Sequence, residues 1–360
     1  MINPFGLLGI KGDTYNPFDL VKDDTSKTLA DDAQMLASLI VPQTPNQDQH
    51  FEPKARSLIC GQILHLATTF PIDEPSLQLT IGQLWQMLRL GQDDWLELLK
   101  NMALNDHPIY GQVVNGAANE ILQLMESGER EAASIISTAR KWTDIFKSIP
   151  LRETLQSSSF CAEELSAQKT IVYVLIPAEF LQSHFAFTRL VIATLLKSIV
   201  RSQSSNYHHP VTFFLDEAYS LGYLQELEVA MGLYAGYGIR IWTIWQALSQ
   251  LQQLYGKNWE IFISNSGIKH FFGVNDRTTM DYVSNMTGNI SVPTYSQNGK
   301  KKTIQSSSSR ILQTPDEVRR QNQMLVFIDN LPVAKLPKKP YYNHPIWSKR
   351  AEPNPYYRKG

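Results

Sequence analysis

Two adjacent carboxylates, Asp216 and Glu217, follow the apolar run Phe213-Phe214-Leu215. A buried strand that ends in two acids is the Walker B pattern. In parallel sheets ligands bind beyond the carboxyl ends of the strands. There Asp216 would stand beside a Mg²⁺, through the ion's water shell. Glu217 would orient or deprotonate the water that attacks a γ-phosphate. The same two acids would also serve as plain N-terminal caps of the next helix, and the local pattern leaves both readings open. Gln246 stands at the end of the next predicted strand. Its amide has both a donor and an acceptor, so it can touch the γ-phosphate and the attacking water together. Its bland alternative is a polar residue that opens a helix.

The phosphate-cradling loop GxxxxGK[ST] does not occur in the 360 residues. Residues 6–12, Gly-Leu-Leu-Gly-Ile-Lys-Gly, offer glycines and a lysine. They lack the Lys-Ser/Thr pair and a preceding strand, so they read as a turn. The chain alone is expected to hold nucleotide poorly.

These residues need elements to position them. Residues 1–30 are rich in turn formers, as in Asn3-Pro4-Phe5-Gly6 and Tyr15-Asn16-Pro17-Phe18-Asp19. Helical spacing then begins near Leu29 and stops before Pro42, and a second helix is expected over 53–69. Residues 71–165 carry Leu, Trp, Gln and Glu at helical spacing and read as an all-α insert. From 168 the pattern alternates. Residues 170–176 form a β-branched and aromatic run, read as a strand buried on both faces. A helix over 185–200, a strand over 211–215, a helix over 224–234, a strand over 239–245 and a helix over 247–255 follow. Residues 269–273 and 324–328 read as further strands. This alternation predicts an α/β fold with a doubly wound, mostly parallel sheet. Residues 296–310 are a polar loop or hairpin tip. The tail after Leu336 is expected to be an edge segment followed by disorder. The expected domains are therefore 1–70 and 166–336 for the α/β part, 71–165 for the insert and 337–360 for the tail.

A hydrophobic content of 43% with 19% charged residues excludes wholesale disorder. The net charge of −1 means that any nucleic-acid contact must rest on a local patch. Cys60 and Cys161 are the two cysteines and form no CxxC pattern, which argues against a zinc site or disulfide frame and for a reducing compartment. The longest apolar runs fall well short of the ~20 residues of a membrane span, and the first residues show no secretory leader. The residues as given read as soluble and intracellular.

Together these features resemble the TraG/TraD-type coupling proteins of conjugative and type IV secretion systems. The resemblance covers nearly the whole chain. It rests on Asn3-Pro4-Phe5-Gly6, Tyr15-Asn16-Pro17-Phe18-Asp19, Ala30-Asp31-Asp32-Ala33, Arg130-Glu131, Ser137-Thr138-Ala139 and Leu215-Asp216-Glu217. It continues through Gly236-Tyr237-Gly238-Ile239-Arg240, Ile244-Trp245-Gln246, Phe271-Phe272-Gly273, Thr314-Pro315-Asp316 and Tyr341-Tyr342. It implies a RecA-like fold with an all-α inserted domain that recognises substrate. It implies ATP and Mg²⁺ as ligands and a hexameric ring at the cytoplasmic face of the inner membrane. It also implies transfer of DNA, with its relaxase, or of effector proteins to the secretion channel. In that family the membrane helices and the phosphate loop precede the Asn-Pro-Phe segment. The chain is thus similar to a truncated or split coupling protein, one that works as a homo-hexamer or with a Walker A-bearing subunit. The family often has an arginine finger just before Gly-Tyr-Gly; here that position is Ala235, and Arg240 is the nearby alternative nucleotide contact. A non-hydrolytic adaptor that binds secretion substrates through the all-α part is the competing reading.

Three weaker signals have bland readings. Lys300-Lys301-Lys302 could touch a phosphate backbone but reads first as a solvated hairpin tip. Trp85, Trp95 and Trp142 are expected to pack inside the helical insert. Cys60 is expected to be a small core residue.

Overall fold

The computed structural model describes residues 1–43, 50–69, 79–202, 209–298 and 301–352. The chain divides into two compact units, residues 1–245 with 254–256, and residues 246–253 with 257 onward.

The first unit opens on a loop organised by Asn3. Its buried amide donates to the carbonyls of Leu7 (3.1 Å) and Ile10 (2.8 Å) and accepts from the Leu7 backbone N–H (2.9 Å). Gly12 permits this closure, because a Cβ there would lie 2.8 Å from the Asn3 nitrogen. Residues 7–9 are a short 3-10 turn, which agrees with the turn reading of the glycine-rich segment. Helix α1 (Leu29–Ile40) carries Asp31 and Asp32 in its first turn, where the positive end of the helix favours acids. It stops two residues before Pro42, as the restriction on residues before proline requires. Helix α2 (Glu52–Thr69) is buried over most of its circumference, with Leu58, Ile59, Ile63, Leu64 and Leu66 all enclosed.

Helices α3 (Ile81–Met87), α4 (Gln92–Ala103), α5 (Gly111–Ser127), α6 (Glu129–Thr143) and α7 (Ile149–Thr154) confirm the helical character expected of this stretch. Both α5 and α6 pack against α2. Gly61 permits the close approach of α5, since a Cβ there would fall 2.4 Å from the Ala117 Cβ. Trp95 is buried, and the guanidinium groups of Arg89 and Arg152 each lie over the Trp85 ring, 4.7 Å from its centre. Cys60 is a core residue whose thiol is pushed up to about 12 by burial. Helix α8 (Phe185–Ser202) supplies much of the core.

Residues 170–176 do not form the buried strand that their composition predicts. Ile2 bridges Val174 in parallel, with Ile2 N–H donating to the Tyr173 carbonyl (2.7 Å) and Leu175 N–H donating to the Ile2 carbonyl (2.9 Å). Ile171 is 75% exposed and Tyr173 53%. A β-branched run becomes a ladder only where a neighbouring strand covers it, and among the described residues none extends this bridge. Strand β1 (Val211–Leu215), helix α9 (Gln225–Leu233) and strand β2 (Ile239–Thr243) follow as a βαβ unit. The two strands pair in parallel from Val211↔Ile239 to Leu215↔Thr243.

The second unit includes most of α10 (Leu248–Tyr255), then α11 (Glu260–Ser264), β3 (Ile268–Phe271) and α12 (Arg277–Met286). Asp276 caps α12 by accepting from Thr279 N–H at 2.9 Å. Strands β4 (Asn289–Asn298) and β5 (Lys301–Ile311) form an antiparallel hairpin, as the polar 296–310 stretch suggests. Lys300 lies outside the described residues. Helix α13 (Pro315–Arg319) has a Thr314–Glu317 capping box. Strands β6 (Gln323–Ile328) and β7 (Ala334–Pro337) complete an antiparallel sheet in the order β3-β6-β7. Parallel pairing between the described strands is thus confined to β1–β2. The core of this unit gathers Val283, Val318 and Leu325, with Phe271 and Phe327 against them. Beyond the edge strand β7 the chain is not irregular as expected: a 3-10 turn (Tyr341–Asn343) and helix α14 (Trp347–Arg350) follow. Residues 353–360 lie outside the described residues. No helix among the described residues is long and apolar enough to cross a membrane.

Candidate functional site

The acid pair is positioned by the ladder of β1 and β2. Phe213 and Leu215 are buried on one face of β1, which fixes the strand's rotation. Past the last strand pair the backbone continues its bonding: Ile244 N–H donates to the Leu215 carbonyl (3.1 Å) and Ala218 N–H to the Ile244 carbonyl (3.0 Å). These two bonds clamp the Asp216–Glu217 turn at the carboxyl end of the parallel pair. Asp216 is exposed and Glu217 half-buried. Glu217 adopts φ 57°, ψ 54°, the left-handed region that side chains other than those of Gly, Asn and Asp enter at a cost of roughly 1 kcal/mol. A strained residue next to a strand end is a recurring feature of functional turns.

Capping does not account for the pair. Glu217 precedes a 3-10 turn (Ala218–Leu221) rather than an α-helix, and its side chain makes no capping hydrogen bond. Gln246 follows Trp245 directly, is exposed, and opens the second unit, where its backbone N–H donates to the Gln250 side-chain carbonyl at 2.9 Å. Arg240 is not brought to the acids. It lies on the exposed face of β2 opposite Thr212, three residues before Thr243. At the ~3.3 Å rise of a parallel strand that is about 10 Å from the carboxyl end.

The donor set fits a magnesium–nucleotide ligand in one respect. Mg²⁺ on a nucleotide takes one or two protein carboxylates, the rest of its shell being water and phosphate oxygens, and an exposed Asp216 beside Glu217 offers this. No group of three or more His, Cys, Asp or Glu side chains among the described residues forms a dedicated metal cage.

One organising feature was not legible in the sequence. Phe5 packs on Phe180 (4.7 Å between ring centres) and on His184 (5.4 Å, edge-on), which ties the Asn-Pro-Phe-Gly loop to residues far along the chain. Contacts at such separation leave no local periodicity to read.

The family described as Type IV secretory system Conjugative DNA transfer matches residues 1–358. Among curated proteins the chain is similar to the conjugal transfer protein TraG of Escherichia coli, 25% identical over 379 residues, covering 94% of this chain and 58% of that protein. It is also similar to VirD4 of Agrobacterium fabrum, 30% identical over 198 residues, covering 52% of this chain and 29% of that protein. The chain thus spans under two thirds of the length of these relatives. Among solved structures it is similar to the bacterial conjugative coupling protein TrwBdeltaN70, with a TM-score of 0.68 at 18% identity, over 93% of this chain and 72% of that one. The plasmid coupling protein TrwB in complex with ADP and Mg²⁺ aligns with a TM-score of 0.66 at 18% identity, over 91% of this chain and 70% of that one. This likeness shows the fold, RecA-like α/β with an all-α inserted domain. With its family description matched from residue 1 to residue 358, the chain belongs to the type IV secretory system conjugative DNA transfer family.

Proposed function

We propose that this chain is the motor region of a type IV secretion coupling protein, which uses ATP to hand DNA or protein substrate to the secretion channel. The observation that carries the reading is the delivery of Asp216 and Glu217, in one clamped turn, just past the carboxyl end of a parallel strand pair. That is the rim at which open α/β sheets receive phosphorylated ligands. A Mg²⁺-bound nucleoside triphosphate supplies the transferable γ-phosphoryl group. Asp216 holds the ion through its water shell. Glu217 orients the attacking water and accepts its proton. Gln246 reads the γ-phosphate through its amide. Arg240, remote from the acids of its own chain, is left to face the nucleotide of a neighbouring copy. The likeness to a nucleotide-bound coupling protein supports this assignment of ligand.

The domains follow the same reading. Residues 1–70 and 166–336 form the RecA-like part, 71–165 the all-α substrate-recognition part and 337–360 the tail. The working unit is a homo-hexamer, or a complex with a subunit that carries GxxxxGK[ST], at the cytoplasmic face of the inner membrane. Secretion-channel components and a relaxase–DNA complex or effector protein are its partners. The second reading is a non-hydrolytic adaptor that binds secretion substrates through the all-α part.

ATP turnover separates the two. Hydrolysis by the chain mixed with a polypeptide bearing the phosphate loop, lost in Glu217→Gln, is the expected result. No turnover in any such mixture leaves the adaptor.

A further inference from the structure

The stretch from residue 330 to 351 contains no Asp or Glu, in a chain whose overall net charge is −1. It carries Lys335, Lys338, Lys339, Lys349 and Arg350, all exposed. Between these cations stand three large rings that the fold leaves open: Tyr341 is 55% exposed, Tyr342 65% and Trp347 52%. The rings do not hang on an irregular tail. The 3-10 turn holds Tyr341 against Tyr342, ring centres 5.6 Å apart. The His344 ring accepts from the backbone N–H groups of Ile346 and Trp347 and stacks on the Trp347 ring at 4.2 Å. Phe272, itself 60% exposed, lies under the Lys338 ammonium at 5.9 Å.

Cations alone would read as a solvated face. Exposed aromatics alone would read as an unspecified apolar contact. A block of exposed rings flanked on both sides by cations, on an acid-free strip, matches the demand of an unpaired polynucleotide, whose phosphates seek cations and whose bases seek flat rings to stack on. A bilayer surface asks for something else, a long amphipathic helix with segregated faces; the only helix here, α14, has four residues.

We propose that residues 335–350 are a contact strip for single-stranded nucleic acid, with Tyr341, Tyr342 and Trp347 as stacking platforms and the flanking lysines and Arg350 as phosphate contacts. The inference deepens the nucleic-acid half of the cargo proposed above and is independent of nucleotide hydrolysis.

The test is anisotropy of fluorescein-labelled oligo-dT titrated with the full chain over about 50 to 200 mM salt. Tyr341→Ala/Tyr342→Ala is expected to weaken binding about five-fold or more while leaving the salt dependence in place. Lys338→Ala/Lys339→Ala is expected to lower the log–log salt slope by about 1.4, two single-strand phosphate contacts' worth. Ultraviolet crosslinking of the unaltered chain to the same oligonucleotide, with the adduct mapped to 335–350, needs no variant to fold. Variants that titrate like the parent, or a crosslink that maps to the β4–β5 hairpin, overturn the strip while leaving DNA cargo intact. A chain that binds no oligo-dT, or binds only phosphatidylserine vesicles, overturns the strip and the DNA cargo together. ATP turnover reads the motor assignment separately.

Discussion

Phe214 and Trp242 face each other across the parallel β1–β2 pair, ring centres 5.6 Å apart, and each is more than half exposed. Their strand neighbours Phe213 and Leu215 are buried on the opposite face. Parallel strands are ordinarily covered on both faces, so in this chain one face of the pair stabilises the fold and the other does not. Phe213→Ala is expected to cost about 3–5 kcal/mol in urea unfolding. Phe214→Ala is expected to cost under about 1 kcal/mol. Equal costs would mean that the outer face is packed after all.

The same one-sidedness explains what the sequence could and could not convey. Helices α1, α2 and α8 were readable to within a residue or two, because periodicity and Pro42 act over a few residues. The strand ending at Leu215 and the turn holding Asp216 and Glu217 were readable for the same reason: a β-branched and aromatic run stops at acids. Residues 170–176 have the composition of a covered strand, yet Ile171 and Tyr173 are exposed. Composition reports what a strand would bury and is silent on whether a neighbour exists. The position of Arg240 depends on the register with Thr212, which only pairing sets. The Phe5–Phe180–His184 cluster depends on tertiary closure and has no local trace.

Glu217 offers a test of backbone geometry apart from chemistry. Its φ of 57° suits Gly or Asn better than Glu. Glu217→Gly and Glu217→Asn should therefore fold with stability within about 0.5 kcal/mol of the parent, whereas Glu217→Val should lose about 1–2 kcal/mol because a β-branched residue resists this conformation. All three should lack turnover in the ATPase assay if Glu217 handles the attacking water. Thermal midpoints checked beside turnover separate the two effects: an Asn variant that is stable and still active would remove Glu217 from the chemistry.

Arg89 holds the helical part through geometry that lysine cannot copy. Its guanidinium lies over the Trp85 ring and donates to the Thr143 hydroxyl (3.1 Å) and the Arg140 carbonyl (2.8 Å) at once. A lysine ammonium reaches one such acceptor and stacks less well. Arg89→Lys is expected to cost roughly 1–2 kcal/mol in chemical denaturation, from one lost hydrogen bond and a weaker ring contact. A cost near zero would show that the stacked arrangement contributes nothing.

His65 should make the protein acid-sensitive in a window above that of its carboxylates. The ring is buried on α2, its Nδ1 within reach of the Thr69 hydroxyl at 3.0 Å, and burial pushes its pKa down to about 4 from the ordinary 6.5. The unfolded chain takes up the proton near 6.5, the folded chain only near 4, so between these values the unfolded state binds more protons. Stability is then fully present above about pH 6.5 and falls as the pH is lowered toward 4. At pH 5 the loss from this one ring is roughly 2 kcal/mol. His184 is displaced in the same direction by its own burial and adds to the slope. Urea unfolding at about pH 7.5 and about pH 5 measures the difference, and His65→Gln should remove most of it while lowering stability modestly at the higher pH. A variant that keeps the parent's full difference would assign the acid sensitivity to other groups.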